Sequence, residues 1–190
     1  MERALLAWYA RRGRDLPWRR TRDPYAILVS EVMLQQTQVD RVVPRYRAWL
    51  ERWPDAAALA AAPAGDVIRQ WQGLGYNRRA LALRRAAQMI VADGWPDDLT
   101  LLPGVGPYTA AALRNFALGE NVLPRDVNVE RVERRTGQRF TGAAAQALMN
   151  LIQPGAAVVG RQLDELLSSA DANEGAASGD PNSTRLRYQQ

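Results

Sequence analysis

"LTLLPGVGPYTAAALRNFALG", residues 99–119, decides the fold. It reads as helix, glycine-rich hairpin, helix. Gly104 and Gly106 bracket Val105, and Pro107 falls where a second helix would begin. Glycine permits positive φ and lets the backbone approach a ligand closely. Proline at the first helical position leaves the next amides free, and those N–H groups with the helix dipole favour an anion. A hairpin of this kind can hold a nucleic-acid phosphate without reading sequence. A tight structural turn accounts for the same residues, so the surroundings decide.

Outward from the hairpin, the chain reads as helices throughout. Residues 1–13 place Leu5, Leu6, Trp8 and Tyr9 at helical spacing. Residues 14–25 are a proline-broken connector. Two helices run from Tyr25 to about Trp53, with Pro44 expected in the first turn of the second. Two short helices opened by Pro54 and Pro63 follow, then the turn "GLGY" (73–76) and a basic amphipathic helix that ends near Gly94. Another helix opens at Asp126, and 142–152 form a last one. No alternating strand pattern occurs, so the expected class is all-α. Residues 154–190 are rich in Ala, Gly, Ser, Asp and Asn and are expected to be a disordered tail.

Composition narrows the chemistry. Cys and His are both absent, which excludes disulfides, cysteine- or histidine-ligated metals, and Ser–His or Cys–His nucleophile systems. Carboxylate chemistry without a metal remains. There are 25 basic and 20 acidic residues, and every basic residue is Arg. The pI near 10.2 suits a nucleic-acid partner, and equally an Arg-rich surface. Nothing is apolar enough to span a bilayer, and the polar amino terminus is unlike a secretory signal, so an intracellular protein is expected.

One acid stands out. Glu31 lies among Ile27, Leu28, Val29, Val32, Met33 and Leu34. A carboxylate in such company loses hydration unless it is paired or protonated. Either it sits on an exposed helix edge, or it performs chemistry.

Four segments, "LPWRRTRDPYAILVSEVMLQQTQV" (16–39), "GLGYNRRA" (73–80), "LPGVGPYTAAA" (102–112) and "DVNVERV" (126–132), resemble the helix-hairpin-helix DNA glycosylases in order and spacing. Within that family the chain is most similar to the MutY-type adenine glycosylase branch. The resemblance covers roughly residues 7–152. It implies two lobes: a six-helix barrel at 21–126 carrying the hairpin, and a terminal lobe from 1–20 and 127–153. It also implies that DNA is bent and the target base flipped into the active site.

The resemblance assigns roles residue by residue. Glu31 matches the acid that protonates adenine, and apolar neighbours favour its protonated form. Asp126 matches the carboxylate that supports the sugar cation, although an Asp at a helix start is commonly an N-cap. Asn128 matches a polar residue that holds the site. Tyr108 stands where bifunctional relatives carry a Schiff-base lysine, which implies a monofunctional enzyme. Leu16, Trp18, Arg19 and Gln146 match the lining of the base pocket. Gln35, Gln36 and Thr37 match residues that contact the base opposite the flipped adenine, and Tyr76 matches an aromatic wedge beside it. Gly104, Val105 and Gly106 match the phosphate-holding hairpin. The Arg-rich face at 78–85 is expected to touch backbone phosphates.

The chain departs from the family in three ways. The four-cysteine loop of most relatives is missing, so no iron–sulfur cluster and no other cofactor is expected, and the terminal lobe is curtailed. The chain ends before a carboxy-terminal recognition domain for 8-oxoguanine could form. Asn77 replaces a second aromatic after "GLGY". The expected partner is double-stranded DNA with an adenine mispaired to 8-oxoguanine or guanine, bound by a monomer in the nucleoid. A thymine glycosylase at G·T mismatches and an inactive DNA-binding remnant are the competing readings.

Overall fold

The computed structural model describes residues 2–152. In chain order these form α1 (Glu2–Arg12), α2 (Pro24–Leu34), α3 (Val39–Arg52), α4 (Ala56–Ala61), α5 (Ala64–Gln70), α6 (Arg78–Asp93), α7 (Pro107–Phe116), α8 (Val127–Thr136) and α9 (Ala145–Ile152). Single 3₁₀ turns occur at Pro17–Arg19, Leu99–Leu101 and Gly142–Ala144. No strand occurs among the described residues, and none of their helices is long and apolar enough to cross a membrane. The expectation for 154–190 lies outside the described residues.

The chain divides into two compact units, one made of Met1–Gly13 with the chain from Gln146 on, the other of Arg14–Ala145. Helix α8 thus falls in the larger unit, whereas the family resemblance grouped 127–153 with the termini. In the smaller unit Leu5 and Trp8 of α1 are buried, as are Ala147 and Leu148 of α9. There the Tyr9 hydroxyl donates to Gln146 Oε1 at 3.4 Å.

The larger unit is built around α2. Asp23 caps this helix by accepting from the amides of Tyr25 (3.0 Å) and Ala26 (3.3 Å), and Pro24 supplies a pre-set φ in its first turn. Every residue from Tyr25 to Met33 is buried. A helix apolar all round belongs in the middle of a bundle, and α2 packs against α3, α6 and α7. The polar groups it carries inward need partners. Ser30 Oγ donates to the Ile27 carbonyl at 2.8 Å, and the Tyr25 hydroxyl donates to the Trp53 carbonyl at 3.0 Å. An aromatic cluster anchors the far side of α3, where Trp49 meets Trp53 and Trp71 edge-on at 4.7 and 5.5 Å. Truncating the fully buried Trp49 to Ala would cost roughly 3–5 kcal/mol.

Two local expectations are corrected. Pro44 lies inside α3, which begins at Val39. The missing amide costs a helical hydrogen bond, but burial of Val39, Val42, Tyr46 and Trp49 holds the helix together on both sides of it. Residues before the hairpin form only a 3₁₀ turn at Leu99–Leu101, capped by Asp98 through the Thr100 amide at 3.0 Å. Pro103 follows too closely for a longer helix to form.

Candidate active site and DNA-facing cleft

Glu31 occupies the third turn of α2 and is 8% exposed. No described residue hydrogen-bonds its carboxyl. Burial pushes its pKa up to about 7, against a smaller opposing pull from the Arg19 cation. An acid that is half protonated near neutral pH can give a proton to a bound base and take one back. The exposed-edge reading of Glu31 is therefore set aside.

Three further groups share its electrostatic surroundings. The Tyr108 hydroxyl, in the first turn of α7, is pushed well above the usual phenol range, first by burial and then by the charges of Glu31 and Asp126. Tyr108 thus remains a neutral phenol that feels the charges of both carboxyl groups. Arg19 is half-buried in the 3₁₀ turn that precedes α2, and its Nη1 donates to the Arg14 carbonyl at 3.1 Å. Asp126 is the N-cap of α8. Its Oδ1 accepts from the amides of Asn128 (3.0 Å) and Val129 (2.8 Å), and its Oδ2 accepts from Asn128 Nδ2 at 2.9 Å. These bonds fix the carboxylate and leave an acceptor site open on Oδ2. Arg131 Nη1 donates to Asn128 Oδ1 at 3.2 Å and so orients the amide that holds Asp126. The capping role and a chemical role fall on one side chain.

A residue that sequence reading overlooked secures this loop. Glu133 is buried on α8, accepts from the Phe140 amide at 3.0 Å and pairs with Arg125, the neighbour of Asp126. Burial alone would raise its pKa. The hydrogen bonds from Arg125 and Phe140, with the charges of Arg125 and Arg139, bring it below the usual carboxylate range.

A second feature is a cleft of about 570 Å³ lined by Gln35, Gln36, Tyr76, Arg78, Arg85 and Gly104, with Val32, Arg79 and Ala82 at its back. Four residues expected to face DNA therefore meet in one place from three separate segments. Gln35 Nε2 reaches the Gly104 carbonyl at 3.4 Å, which joins the end of α2 to the hairpin. Gly104 has φ of +85°, and a Cβ there would lie 3.0 Å from Ala82 Cβ, so only glycine fits without strain. Gly106 is different. Its φ is −95° and a Cβ would meet nothing within 4 Å, so the fold makes no demand for glycine at that position. Close approach of a ligand to the N-terminus of α7, which has no side-chain cap, is the use left for it.

Other expected site residues have different surroundings. Leu16 and Trp18 are buried in the core of the larger unit, Trp18 edge-on against Tyr46 at 5.4 Å. The Val105 side chain is also in that core, and its amide donates to the Leu102 carbonyl at 3.0 Å. Gln146 belongs to the smaller unit. The Thr37 hydroxyl is engaged within the protein, at 3.2 Å from Arg79 Nη2.

The Arg-rich face at 78–85 is not a single surface. Arg79 is 8% exposed and lies at the head of the apolar stripe of α6 formed by Leu83, Ala86 and Ile90. That position on the stripe is a sequence signal for a buried Arg. Arg84 is turned to the Ala62 carbonyl, which its Nε meets at 2.6 Å, while Arg78 and Arg85 remain exposed at the cleft.

Comparison with known proteins places this geometry in context. Residues 29–154 match the model of the HhH-GPD superfamily base excision DNA repair proteins. The adenine DNA glycosylase of Mycolicibacterium smegmatis is 50% identical over 138 residues, which cover 69% of this chain and 47% of that protein. The Mycobacterium tuberculosis adenine DNA glycosylase is 49% identical over 148 residues, covering 73% and 49%. The human one is 43% identical over 144 residues, covering 68% and 26%. This chain thus spans about half the length of its mycobacterial relatives. Among solved structures, a thermostable thymine-DNA glycosylase superposes with a TM-score of 0.66 at 25% identity, over 86% of this chain and 82% of that one. A cysteine-ligated iron–sulfur cluster does not fit this chain, which has no cysteine. On sequence, helical architecture and hairpin alike, the chain belongs to the HhH-GPD superfamily of base excision DNA repair proteins.

Proposed function

We propose that the chain is a monofunctional DNA glycosylase that releases adenine mispaired with 8-oxoguanine or guanine, working as a monomer without a cofactor. The observation that carries this reading is Glu31, a buried acid titrating near neutrality beside Arg19 and Tyr108. The adenine substrate is favoured over thymine because relatives named adenine DNA glycosylase are 43–50% identical to this chain.

In the proposed reaction, protonated Glu31 gives its proton to N7 of the flipped adenine, which weakens the C1′–N9 bond. The bond breaks with its electron pair leaving on the base. The oxocarbenium-like sugar is then stabilised by nearby carboxylate charge, with Asp126 held in place by its cap hydrogen bonds. Water adds at C1′ and its proton passes to the Glu31 carboxylate, which restores the acid. The hydroxyl of Tyr108, where bifunctional relatives place an amine, offers no route to a Schiff base, and no lysine exists elsewhere in the chain. Gln36 and Tyr76 meet the opposite base in the cleft, while the hairpin and Arg78 and Arg85 hold phosphate.

Single-turnover base release from duplexes containing A·8-oxoguanine, A·G and T·G tests this reading. Adenine release from the first two, weakening steeply with added salt, is expected. Faster release of thymine would move the chain to the thymine branch. No release from any duplex would leave a DNA-binding remnant.

A further inference from the structure

Arg79 makes an unusual set of contacts. Its Nη1 donates toward the carbonyls of Val32 (2.9 Å), Met33 (3.3 Å) and Gln35, the last turn of α2. Its Nη2 donates toward Thr37 Oγ1 (3.2 Å) and the carbonyls of Leu74 (2.8 Å) and Gly75 (3.1 Å), in the turn before α6. One guanidinium thus satisfies the open end of a helix and a loop some forty residues away in sequence. Its Cζ also lies 5.3 Å from the Trp71 ring and 5.8 Å from the Tyr76 ring.

The two tied segments share a second property. Among the described residues, only Gln36 (φ +54°) and Tyr76 (φ +48°) are non-glycine residues with positive φ. Side chains rarely adopt that conformation unless their surroundings over-determine it. Each strained residue directly follows a carbonyl that Arg79 holds, Gln35 and Gly75 respectively. Both point into the same cleft, and Tyr76 is 59% exposed there with the guanidinium behind it.

We propose that Arg79 is a positioning residue that locks Gln36 and Tyr76 into one preformed surface, against which the base opposite the excised one is read. This rests on the glycosylase reading above. Arg79 contacts no DNA in this role. It removes the alternatives that a looser Gln36 and Tyr76 would sample, so the opposite base is compared against a fixed shape.

Arg79→Lys is the direct test. A lysine keeps the charge, but one ammonium cannot span acceptors on two segments. Affinities of wild type and variant are measured for duplexes in which an uncleavable abasic analogue faces 8-oxoguanine, guanine or thymine, at one salt concentration. A merely structural loss lowers the active fraction and scales all three affinities together. Positioning changes their ratio, which is expected to shrink by about tenfold in the variant. An unchanged ratio would overturn the proposal, as would a wild-type protein that binds all three equally. If Arg79→Lys does not fold, Thr37→Val and Thr37→Ser carry the test, since only serine keeps the hydroxyl that receives Nη2. The ratio should fall with valine and return with serine, and equal ratios in the two would count against the role. Wild type that discriminates in binding yet releases no base would refute the glycosylase reading and leave the positioning role standing.

Discussion

Replacing Glu31 with Gln should stabilise the folded protein at alkaline pH while abolishing its chemistry. Glu31 is buried without a hydrogen bond to any described residue, and its pKa is raised from 4.5 to about 7. The unfolded chain therefore releases this proton near pH 4.5, and the folded chain only near pH 7. Between those values the folded state binds more protons, so stability falls as pH rises, and the full cost is present above pH 7. A shift of this size corresponds to about 3 kcal/mol. Gln carries no charge at any pH, so the variant escapes this cost. Any steric difference between the two side chains is independent of pH and cancels between conditions. Urea unfolding of both proteins near pH 5 and near pH 8 should show the variant's advantage growing by about 2–3 kcal/mol toward the alkaline condition. The same substitution should slow base excision at least about a hundredfold with DNA affinity nearly intact. A stability difference that is the same at both pH values would refute the buried-acid argument, and near-normal excision would refute the catalytic one.

Four further outcomes are expected. Arg19→Gln removes the cation that favours ionised Glu31, so the alkaline limb of the excision pH profile should move to higher pH; a shift to lower pH would contradict the pairing. Gly104→Ala should lower stability by about 1–2 kcal/mol, because it combines positive φ with a crowded Cβ. Gly106→Ala should melt like wild type yet bind DNA more weakly, and equal melting of the two variants would overturn this contrast. Borohydride should trap no enzyme–DNA adduct through a side chain, and an adduct mapped anywhere but the terminal amine would disprove monofunctional chemistry.

The residues that sequence alone determined are those governed by neighbours within about one helical turn. Asp126 before Val127 announces a helix start because a cap bonds to amides two and three residues on. Gly94 marks a helix end by its positive φ. Glu31 stood out because its apolar neighbours in sequence are also its neighbours on the helix. The assembly of the cleft from Gln35, Tyr76 and Gly104 became legible only through resemblance to a family, since no local rule joins those segments. What tertiary structure decided involves groups distant in the chain. Pro44 is accommodated because α3 is gripped on both sides of it, and Trp18 and Val105 go to the core because the bundle offers them apolar partners. The coupling of Tyr108 to both Glu31 and Asp126 arises from three separate segments brought together. Arg79 is the clearest case, because most of its acceptors are backbone carbonyls. A carbonyl is the same in every residue, so no pattern of side chains could disclose which ones a buried guanidinium would find.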